Sequence, residues 1–332
     1  MAARSLAVST ETLRLAEPFR ISGYVFETWD VISVTLTQDD RRGRGEGGGA
    51  YFVGDDVPHM LADIEAVRSA IEGGATREAL RGSMPAGGAR NAVDCALWEL
   101  EAAASGEPAW RAAGLPEPRP VRTTFTVGAD TPEAMAARAR GYTQARSIKV
   151  KLTGDVDLDL ARVDAIRAAR PDVWLGVDGN QGFARADLPR LTDGLQGLRV
   201  SLLEQPLPRG REAELDGFAS PIPIAGDESI LTLADVTAAP GRFDVVNIKL
   251  DKCGGLTEGL AMAAEARRLR LGVMVGCMVG TSLAMAPAFL LGQLCDLVDL
   301  DGPTFLLDDP APAVEYRDGA IWAAPAIWGA GA

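Results

Sequence analysis

Residues 147–180 read SIKVKLTGDVDLDLARVDAIRAARPDVWLGVDGN, in which two short apolar segments flank one amphipathic helical segment. A strand, a helix and a second strand in this order form a unit whose two strands run parallel. The alternation extends along most of the chain, and the strand-like segments lie at 121–127, 146–152, 173–180, 200–206, 221–229, 244–250, 272–278 and 297–303. Eight such strands over about 180 residues favour an α/β fold with a TIM-like barrel. A doubly wound sheet is the alternative, but no GxGxxG fingerprint opens a helix in this part of the chain.

The first 115 residues have a different pattern, in which strands are followed by helices. The alternating segment VISVTLT at 31–37 predicts a strand, and the glycine-rich segment GRGEGGGAYFVGDD at 43–56 predicts a turn or loop. Helical patterns follow in MLADIEAVRSAIEGG, TREALRGSM and ARNAVDCALWELEAAASG. Strands followed by helices indicate a small α+β domain. We therefore expect an α+β domain at 1–115, with a barrel at 116–305 and a C-terminal segment at 306–332 after it.

The composition argues against several classes of protein. A formal charge of −13 at pH 7 disfavours nucleic acid as a partner, because phosphate binding requires clustered cations. The most apolar stretch, 273–294, is interrupted by glycines, Pro287 and Gln293, so we expect no membrane span. The N-terminal segment also lacks the apolar core of a signal peptide. No CxxC spacing occurs among the cysteines, which favours a reducing, cytoplasmic setting; they are Cys95, Cys253, Cys277 and Cys295.

Histidine and lysine usage narrows the chemistry. The single histidine, His59, lies far from any serine or cysteine nucleophile motif, so acid/base catalysis must use other side chains. The chain has only four lysines among its 33 basic residues, and all of them lie in SIKVKLTG and VVNIKLDKCGG. Arginine stays protonated at any working pH, whereas a partly desolvated lysine can lose its proton. This pattern predicts lysine acid/base chemistry, with chance clustering in an arginine-rich chain as the alternative.

Polar residues recur at the carboxyl ends of the predicted barrel strands. Neighbouring members of the set are 22 to 28 residues apart, and the set comprises Lys151, Asp178, Glu204, Asp227, Lys249 and Cys277. In a barrel these strand ends converge on one mouth. Three carboxylates without histidine or thiolate form a hard-oxygen site that suits Mg²⁺, with Mn²⁺ as a substitute. Asn180 follows Asp178 on the same face, so we expect it behind the metal ligands, whereas alternation turns Glu228 away from Asp227.

The lysines fall on two strands that lie far apart in the barrel. Lys149 and Lys151 are two residues apart on one strand, so both face the interior. Lys249 comes four strands later, nearly opposite them. We expect the crowding of cations to lower the pKa of at least one lysine, as a base near neutral pH requires. Two bases on opposite faces of one bound carbon could exchange its proton and so invert it. Lys252 lies past the strand end, and we expect it in a loop or at the surface.

Five ordered motifs resemble those of one known family. They are KVK at 149–151, DGN at 178–180, EQP at 204–206, GDES at 226–229 and NIKLDKCGG at 247–255. This set resembles the enolase superfamily, and its muconate-lactonising subgroup in particular. The segment ARNAVDCALWELEAA at 89–103 resembles the capping domain of that subgroup, so the resemblance covers essentially the whole chain. It implies a modified TIM barrel of the (β/α)7β type, a segment at 306–332 that returns to the first domain, and one Mg²⁺ per subunit, held by Asp178, Glu204 and Asp227.

Within the subgroup, Asp299 and Asp301 of VDLDGP resemble the DxD pair that binds the substrate α-ammonium in dipeptide epimerases. Two carboxylates that face the same way on the last strand favour a cation, although a solvated strand end is the alternative reading. The resemblance implies that the C-terminal carboxylate of a dipeptide chelates Mg²⁺ and acidifies the adjacent Cα–H. Lys151 or Lys249 would remove this proton, the opposite lysine would return one, and Lys149 would help to neutralise the metal-stabilised enolate. Further substrate contacts are implied at Thr126, Cys277 and Val279.

The capping-domain segment PFRISGYVFET at 18–28 departs from one branch of the family. Epimerases for L-Ala-D/L-Glu carry an arginine here for the glutamate carboxylate, and the matching position in this chain is Tyr24, with Arg20 the only nearby cation. We expect this segment to be a loop that closes over the mouth and contacts the substrate side chain. The departure leaves room for an apolar or aromatic residue at the epimerised position.

Other functions remain open at this point. An N-acylamino acid racemase, an o-succinylbenzoate synthase or a cycloisomerase of the same subgroup would act on substrates without a free ammonium. A catalytically silent binding protein on the same scaffold is a further alternative. The oligomeric state is also open, and a homo-oligomer is compatible with the sequence.

Overall fold

Three antiparallel strands open the chain in the computed structural model, which describes residues 4–331. Their order in the sheet is β1, β2, β3, and they span Ser5–Ile21, Tyr24–Gln38 and Arg41–Gly47. Four helices follow, and they are α1 Val57–Glu72, α2 Arg77–Ser83, α3 Gly88–Ser105 and α4 Ala109–Ala112. Period-two alternation on β2 buries Ile32, Val34 and Leu36 completely, and α1, α2 and α3 cover that face. This is the α+β layer that the N-terminal pattern predicts.

The glycine-rich segment at 43–56 forms a strand in its first part, so the prediction of a turn or loop there was wrong. Its glycines lie against α3: a Cβ on Gly43 would approach the Ala96 carbonyl oxygen to 2.0 Å, and one on Gly45 would approach that of Ala92 to 2.0 Å. The glycines therefore permit a close approach of strand to helix backbone and do not mark a break in the strand.

Eight parallel strands form the second part of the structure, in the order β5 to β12 around one sheet. They span β5 Phe125–Val127, β6 Ser147–Lys151, β7 Trp174–Asp178, β8 Leu202–Glu204, β9 Ile224–Gly226, β10 Val245–Lys249, β11 Gly272–Gly276 and β12 Leu297–Asp299. The helices between them are α5 Pro132–Gly141, α6 Val156–Ala169, α7 Leu188–Gly197, α8 Leu233–Ala238, α9 Leu250–Cys253, α10 Leu256–Arg268 and α11 Ser282–Gly292, and a 3₁₀ helix, Glu212–Leu215, lies between β8 and β9. Each of the eight predicted strand segments contains one of these strands.

The barrel is nearly closed between its first and last strands. The amide of Thr124, just before β5, donates to the carbonyl oxygen of Val298 on β12 at 3.0 Å. The amide of Leu300 donates to the hydroxyl of Thr123 at 2.9 Å. This closure brings β12 next to β5, which are widely separated in sequence, and it places their carboxyl ends side by side at the mouth.

The residues after β12 run along the barrel and then contact the first domain. A small antiparallel sheet joins β4 (Val121–Arg122) to β13 (Glu315–Arg317) and β14 (Ala320–Trp322). The indole of Trp328 donates to the carbonyl oxygen of Arg44 on β3 at 3.0 Å. The domain boundaries expected from the sequence, 1–115, 116–305 and 306–332, stay predictions.

Residues 18–28 form a β-hairpin and not the expected loop. The end of β1 pairs with the start of β2, with Phe19 opposite Phe26, Arg20 opposite Val25, and Ile21 opposite Tyr24. Because side chains alternate along a strand, Arg20 faces the opposite side from Phe19 and Ile21. In residues 4–331 no helix combines the length and apolarity that a membrane crossing needs.

Candidate active site

Three buried carboxylates meet at the barrel mouth. Asp178 and Glu204 end β7 and β8, Asp227 follows β9, and all three are at most 1% exposed. One oxygen from each lies within 4.8 Å of one oxygen from each of the others. The parallel pairing of the strands explains this, since it sets Asp178 beside Glu204 in register. The structure thus brings together the three residues that the sequence nominates as metal ligands.

Lysines stand on both sides of this triad. On β6, Nζ of Lys151 lies 2.6 Å from Oδ2 of Asp178. Nζ of Lys149 lies 3.5 Å from Oε2 of Glu204 and also bonds to Asp299. On β10, four strands away, Nζ of Lys249 lies 2.6 Å from Oδ2 of Asp227. The two strands therefore present ammonium groups to the triad from two directions.

Lys252 is buried, so the expectation of a loop or surface position was wrong. The short helix α9 starts directly after β10 and turns the Lys252 side chain back into the barrel, where it is fully buried. Its Nζ donates to the side-chain Oδ1 and the main-chain oxygen of Asp227, each at 2.5 Å, and to the carbonyl oxygen of Asn247 at 3.0 Å. Lys252 comes three residues after Lys249, and residues three apart on a helical turn lie on the same side. This spacing was the signal in the sequence that Lys252 lies near Lys249.

Amide and carboxyl groups complete the surroundings of the triad. Asn247, two residues before Lys249 and on the same face, donates from Nδ2 to Oε1 of Glu204 at 2.7 Å. Asn180 donates from its main-chain N to Oδ1 of Asp178 at 2.9 Å and from Nδ2 to Oε1 of Glu228 at 3.3 Å. Glu228 is buried and accepts this hydrogen bond from Asn180, so alternation does not turn it out of the site. Sequence reasoning missed the contribution of Asn247.

The donor set fits a hard divalent cation. Among residues 4–331, four buried side-chain oxygens in this region accept no hydrogen bond, and they are Oε2 of Glu204, Oε2 of Glu228, Oδ1 of Asn180 and Oδ1 of Asn247. Six carboxylates surround the region against four lysines, and they are Asp178, Glu204, Asp227, Glu228, Asp299 and Asp301. When all ten groups are ionised, the six negative charges exceed the four positive charges by two, which is the charge of one divalent ion. Orphaned oxygens and charge balance thus point to the same kind of ligand.

The pKa values of the buried groups reflect this charge imbalance. Burial and the nearby Asp178 raise the pKa of the Glu204 carboxyl to about 8. Burial opposes ionisation of Asp227, but Lys249 and Lys252 lower the pKa of this carboxyl below its usual range. Burial would lower the pKa of Lys149, yet the carboxylates of Asp299, Glu204 and Asp178 raise it well above its usual value. The expected lowering by lysine crowding is therefore outweighed at Lys149 by the carboxylates.

Asp299 and Asp301 differ in their surroundings. Asp299 bonds to Lys149 and to the hydroxyl of Thr124, so both of its oxygens are engaged. Oδ2 of Asp301 accepts from the amide of Thr126 at 2.6 Å, and no lysine contacts this carboxylate within residues 4–331. Burial and the nearby Asp299 raise the pKa of Asp301 to about 7. Asp301 is thus the member of the pair with capacity for another cation.

A cavity lies between the barrel mouth and the capping hairpin. Its polar floor includes Lys149, Lys151 and Lys249, and Thr126, Cys277 and Val279 also lie in its wall. The side toward the first domain is apolar and consists of Phe19, Ile21, Phe26, Trp29, Tyr51 and Phe52, with Met278 and Phe305 from the barrel side. Burial raises the pKa of the Cys277 thiol above its usual range, so this group stays neutral in the wall.

Tyr24 and Arg20, which the sequence nominates as substrate contacts, do not line this cavity among the described residues. The Tyr24 ring is 48% exposed and packs against Phe26 and Tyr51, with ring centroids 5.8 and 4.8 Å away. Arg20 lies on the other face of the hairpin and borders a neighbouring cavity with Glu17 and Arg138. The lone His59 is exposed and 3.5 Å from Asp55, away from the site.

Comparisons with known proteins agree with this architecture. Residues 132–331 match the family model described as enolase C-terminal domain-like. An L-Ala-D/L-Glu epimerase from Escherichia coli (strain K12) is 39% identical over 318 residues, which cover 96% of this chain and 99% of that protein. A crystal structure of an enolase family member from Agrobacterium tumefaciens with homology to dipeptide epimerases, with bound sodium and L-Ala-L-Glu, has a TM-score of 0.94 at 40% identity and covers 98% of this chain and 100% of its own. The dipeptide epimerase from Methylococcus capsulatus complexed with Mg and L-Arg-D-Lys has a TM-score of 0.90 at 30% identity, with 98% of each chain covered.

Proposed function

This chain belongs to the enolase C-terminal domain-like family, and we propose that it is a magnesium-dependent dipeptide epimerase that inverts the C-terminal residue by a two-lysine mechanism. It is an isomerase of the racemase and epimerase type. The observation that carries the proposal is the placement of Lys151 and Lys249 on two sides of one carboxylate triad. We expect the enzyme to work in the cytoplasm.

Asp178, Glu204 and Asp227 would hold the metal, which we take to be Mg²⁺ because the ligands are hard oxygens, with Mn²⁺ as a substitute. Asn180 and Asn247 would orient these ligands from behind through the hydrogen bonds that they make. When bound, the cation would withdraw charge from the substrate carboxylate and so acidify the neighbouring Cα–H.

The lysines would move the proton. A neutral Lys151 or Lys249 accepts the Cα proton on Nζ, the C–H electron pair passes into the enolate of the substrate, and the opposite ammonium donates a proton to the other face of Cα. The two lysines thereby exchange protonation states in each turnover. Lys149, which contacts Glu204 and Asp299, would keep a fixed positive charge beside the enolate.

The acidic pair selects a substrate with a free α-ammonium. Asp301 has an oxygen available, whereas Asp299 is already bonded to Lys149 and Thr124. A buried carboxylate with no cationic partner favours an ammonium over an acylated, neutral nitrogen. This supports a dipeptide over the N-acylamino acid, o-succinylbenzoate or cycloisomerase substrates of the alternative functions.

The side chain at the inverted position would meet the apolar wall. Phe19, Ile21 and Phe26 present rings and aliphatic carbons to the cavity, while Arg20 points away from it. Among residues 4–331, this wall offers no cation with which a buried carboxylate of the substrate could pair, and an unpaired buried carboxylate is costly. We therefore propose that the preferred dipeptides carry an apolar or aromatic C-terminal residue.

The test is Cα proton exchange. The protein is incubated with MgCl₂ and a dipeptide library in D₂O, and deuterium at each C-terminal Cα is measured by mass spectrometry and NMR. We expect uptake and loss of stereochemical purity in at least one dipeptide with an apolar C-terminal residue. The same assay is run with N-acylamino acids, and exchange confined to them would indicate the racemase. Ring closure or loss of water would indicate the other subgroup activities. No reaction at all would favour a binding protein.

A further inference from the structure

Lys252 is a buried cation that the reaction itself does not require. Its side chain is completely buried, and all three of its protons are donated within the protein. An ammonium can donate from a single point in three tetrahedral directions, which the planar guanidinium of arginine cannot do in the same space. This explains why a chain with few lysines keeps a lysine here.

The three triad carboxylates share one pattern of hydrogen bonding. In each, one oxygen is held by a group behind the triad: Oδ1 of Asp178 by the amide of Asn180 at 2.9 Å, Oε1 of Glu204 by Asn247 at 2.7 Å, and Oδ1 of Asp227 by Lys252 at 2.5 Å. The second oxygen of each faces the site. Lys252 is thus the counterpart of two neutral amide donors, and it alone carries charge.

Hydrogen bonds hold the main chain of Asp227 as well as its side chain. Its amide donates to Oε1 of Gln205 at 2.9 Å, and its carbonyl oxygen accepts from Lys252 at 2.5 Å. Only Oδ2, which Lys249 contacts at 2.6 Å, is left for a ligand. The position of Lys249 relative to the substrate therefore depends on how firmly Asp227 is held.

We propose that Lys252 is a positioning residue that fixes Asp227 and, through it, the catalytic Lys249. This inference rests on the proposed epimerase function. Loss of Lys252 lets the Asp227 carboxylate rotate and bond to Lys249 through either oxygen. Proton transfer on the Lys249 face of the substrate is then impaired more than transfer on the Lys151 face, which Asp178 and Asn180 hold independently.

The experiment compares exchange from the two stereoisomers of one dipeptide in D₂O. The stereoisomer that exchanges through Lys249 is identified as the one whose exchange is lost in the Lys249→Met variant. In Lys252→Met, which keeps the length but not the charge, we expect this exchange to fall at least about 10-fold more than exchange of the other stereoisomer. An equal loss for both stereoisomers would overturn the inference.

Arg167→Met is the matched control. Arg167 is also a buried cation, and it donates to the carbonyl oxygens of Val173, Leu198 and Arg199 at the opposite end of the barrel strands. Its loss should lower stability as well, but leave the ratio of the two exchange rates unchanged. If Lys252→Met does not fold, Lys252→Gln retains two donors and serves for the same comparison.

A second readout needs neither metal nor substrate. Unfolding of the metal-free protein is compared among wild type, Lys252→Met, Asp227→Asn and the double variant. We expect the double variant to lose less than the two single losses combined, because each single change already removes the Lys252–Asp227 ion pair, and Asp227→Asn also leaves the buried Lys252 without a carboxylate partner. Additive losses would overturn the inference. If the wild type exchanges no dipeptide, the proposed function fails, and this cycle alone decides whether Lys252 holds Asp227.

Discussion

Lys151 and Lys249 hold different members of the same carboxylate triad: Nζ of Lys151 lies 2.6 Å from Oδ2 of Asp178, and Nζ of Lys249 lies 2.6 Å from Oδ2 of Asp227. The two lysines therefore share one charged centre but reach it from strands four positions apart in the sheet. A substrate bound over that centre would be exposed to one lysine on each face.

Replacing either lysine should separate exchange from epimerisation. In Lys151→Met or Lys249→Met, we expect inversion to fall by about 10³-fold or more, because a general acid/base group typically contributes about 10²–10⁴-fold. Each variant should still exchange the Cα proton of one stereoisomer, and the retained stereoisomer should differ between them. Deuterium uptake from each pure isomer measures this. Loss of exchange from both isomers in both variants would contradict a mechanism with one base per face.

Divalent metal should stabilise the protein as well as activate it. Because Mg²⁺ would relieve repulsion among buried carboxylates, the free energy of unfolding should rise with metal. The gain should be about 2.7 kcal/mol when the free metal concentration is one hundred times the dissociation constant. EDTA should abolish exchange, and Mg²⁺ or Mn²⁺ should restore it. Glu204→Gln should weaken metal binding measured by calorimetry. Asp172→Asn removes an exposed carboxylate that pairs with the buried Arg170, and this control should leave metal affinity unchanged.

Asp301 should discriminate between free and acylated substrates. Its available oxygen would pair with the α-ammonium, so Asp301→Asn should lower kcat/KM for a free dipeptide by about 10–100-fold, the equivalent of a charge-assisted hydrogen bond. An N-acetylated dipeptide has no ammonium and should lose much less in this variant. Steady-state kinetics with both substrates provide the measurement, and equal losses would count against an ammonium site.

The apolar wall should set the side-chain preference. Ile21 lines the cavity, so Ile21→Arg would place a cation there and should raise kcat/KM for L-Ala-L-Glu relative to L-Ala-L-Leu by at least about 10-fold. Arg20→Ala is the matched control on the other face of the hairpin and should leave the ratio unchanged. A wild-type enzyme that already favours the glutamate dipeptide would refute the proposed preference.

Glu46 should make the attachment of the first domain to the barrel sensitive to pH. Its carboxylate accepts from the amide of Thr281 at 2.8 Å and from the Thr281 hydroxyl, and Asp251 and Asp309 are the nearby charges. Burial raises the pKa of Glu46 from 4.5 to about 7, so its contribution is full below pH 4.5 and is lost as the pH rises through about 7. Between pH 5 and 8, wild type should lose up to about 3 kcal/mol relative to Glu46→Gln in urea unfolding. Parallel stability curves would exclude this role.

The sequence was sufficient for those parts of the site that follow strand periodicity. The spacing of Asp178, Glu204 and Asp227 by one β/α unit each placed them at neighbouring strand ends, because parallel strands share one carboxyl edge. Lys149 and Lys151 likewise follow from alternation. These inferences needed only the alternation of side chains along each strand and the order of the strands.

Features that depend on tertiary approach could not be predicted in this way. Lys252 looked exposed because it lies after a strand, and only the turn of α9 returns it to Asp227. The glycines at 43 and 45 resembled a loop until the α3 backbone was seen against them. Arg20 looked available as a substrate contact because a loop does not determine the direction of its side chains. The register of the hairpin directs Arg20 away from the cavity. For Lys252 and for the two glycines the deciding contact involves residues far apart in the sequence, whereas for Arg20 it is the register of a local hairpin.

The closure between β5 and β12 has a consequence for the order in which the molecule is built. Asp299 and Asp301 meet Thr124 and Thr126, 175 positions earlier in the chain, only across that closure. A nascent chain that still lacks its eighth barrel strand already contains every triad carboxylate and every lysine, yet it cannot form this contact. Under the proposed function, the acidic pair that would bind the substrate ammonium is therefore completed last, so a partly synthesised barrel would carry its lysines and triad carboxylates before that pair is in place.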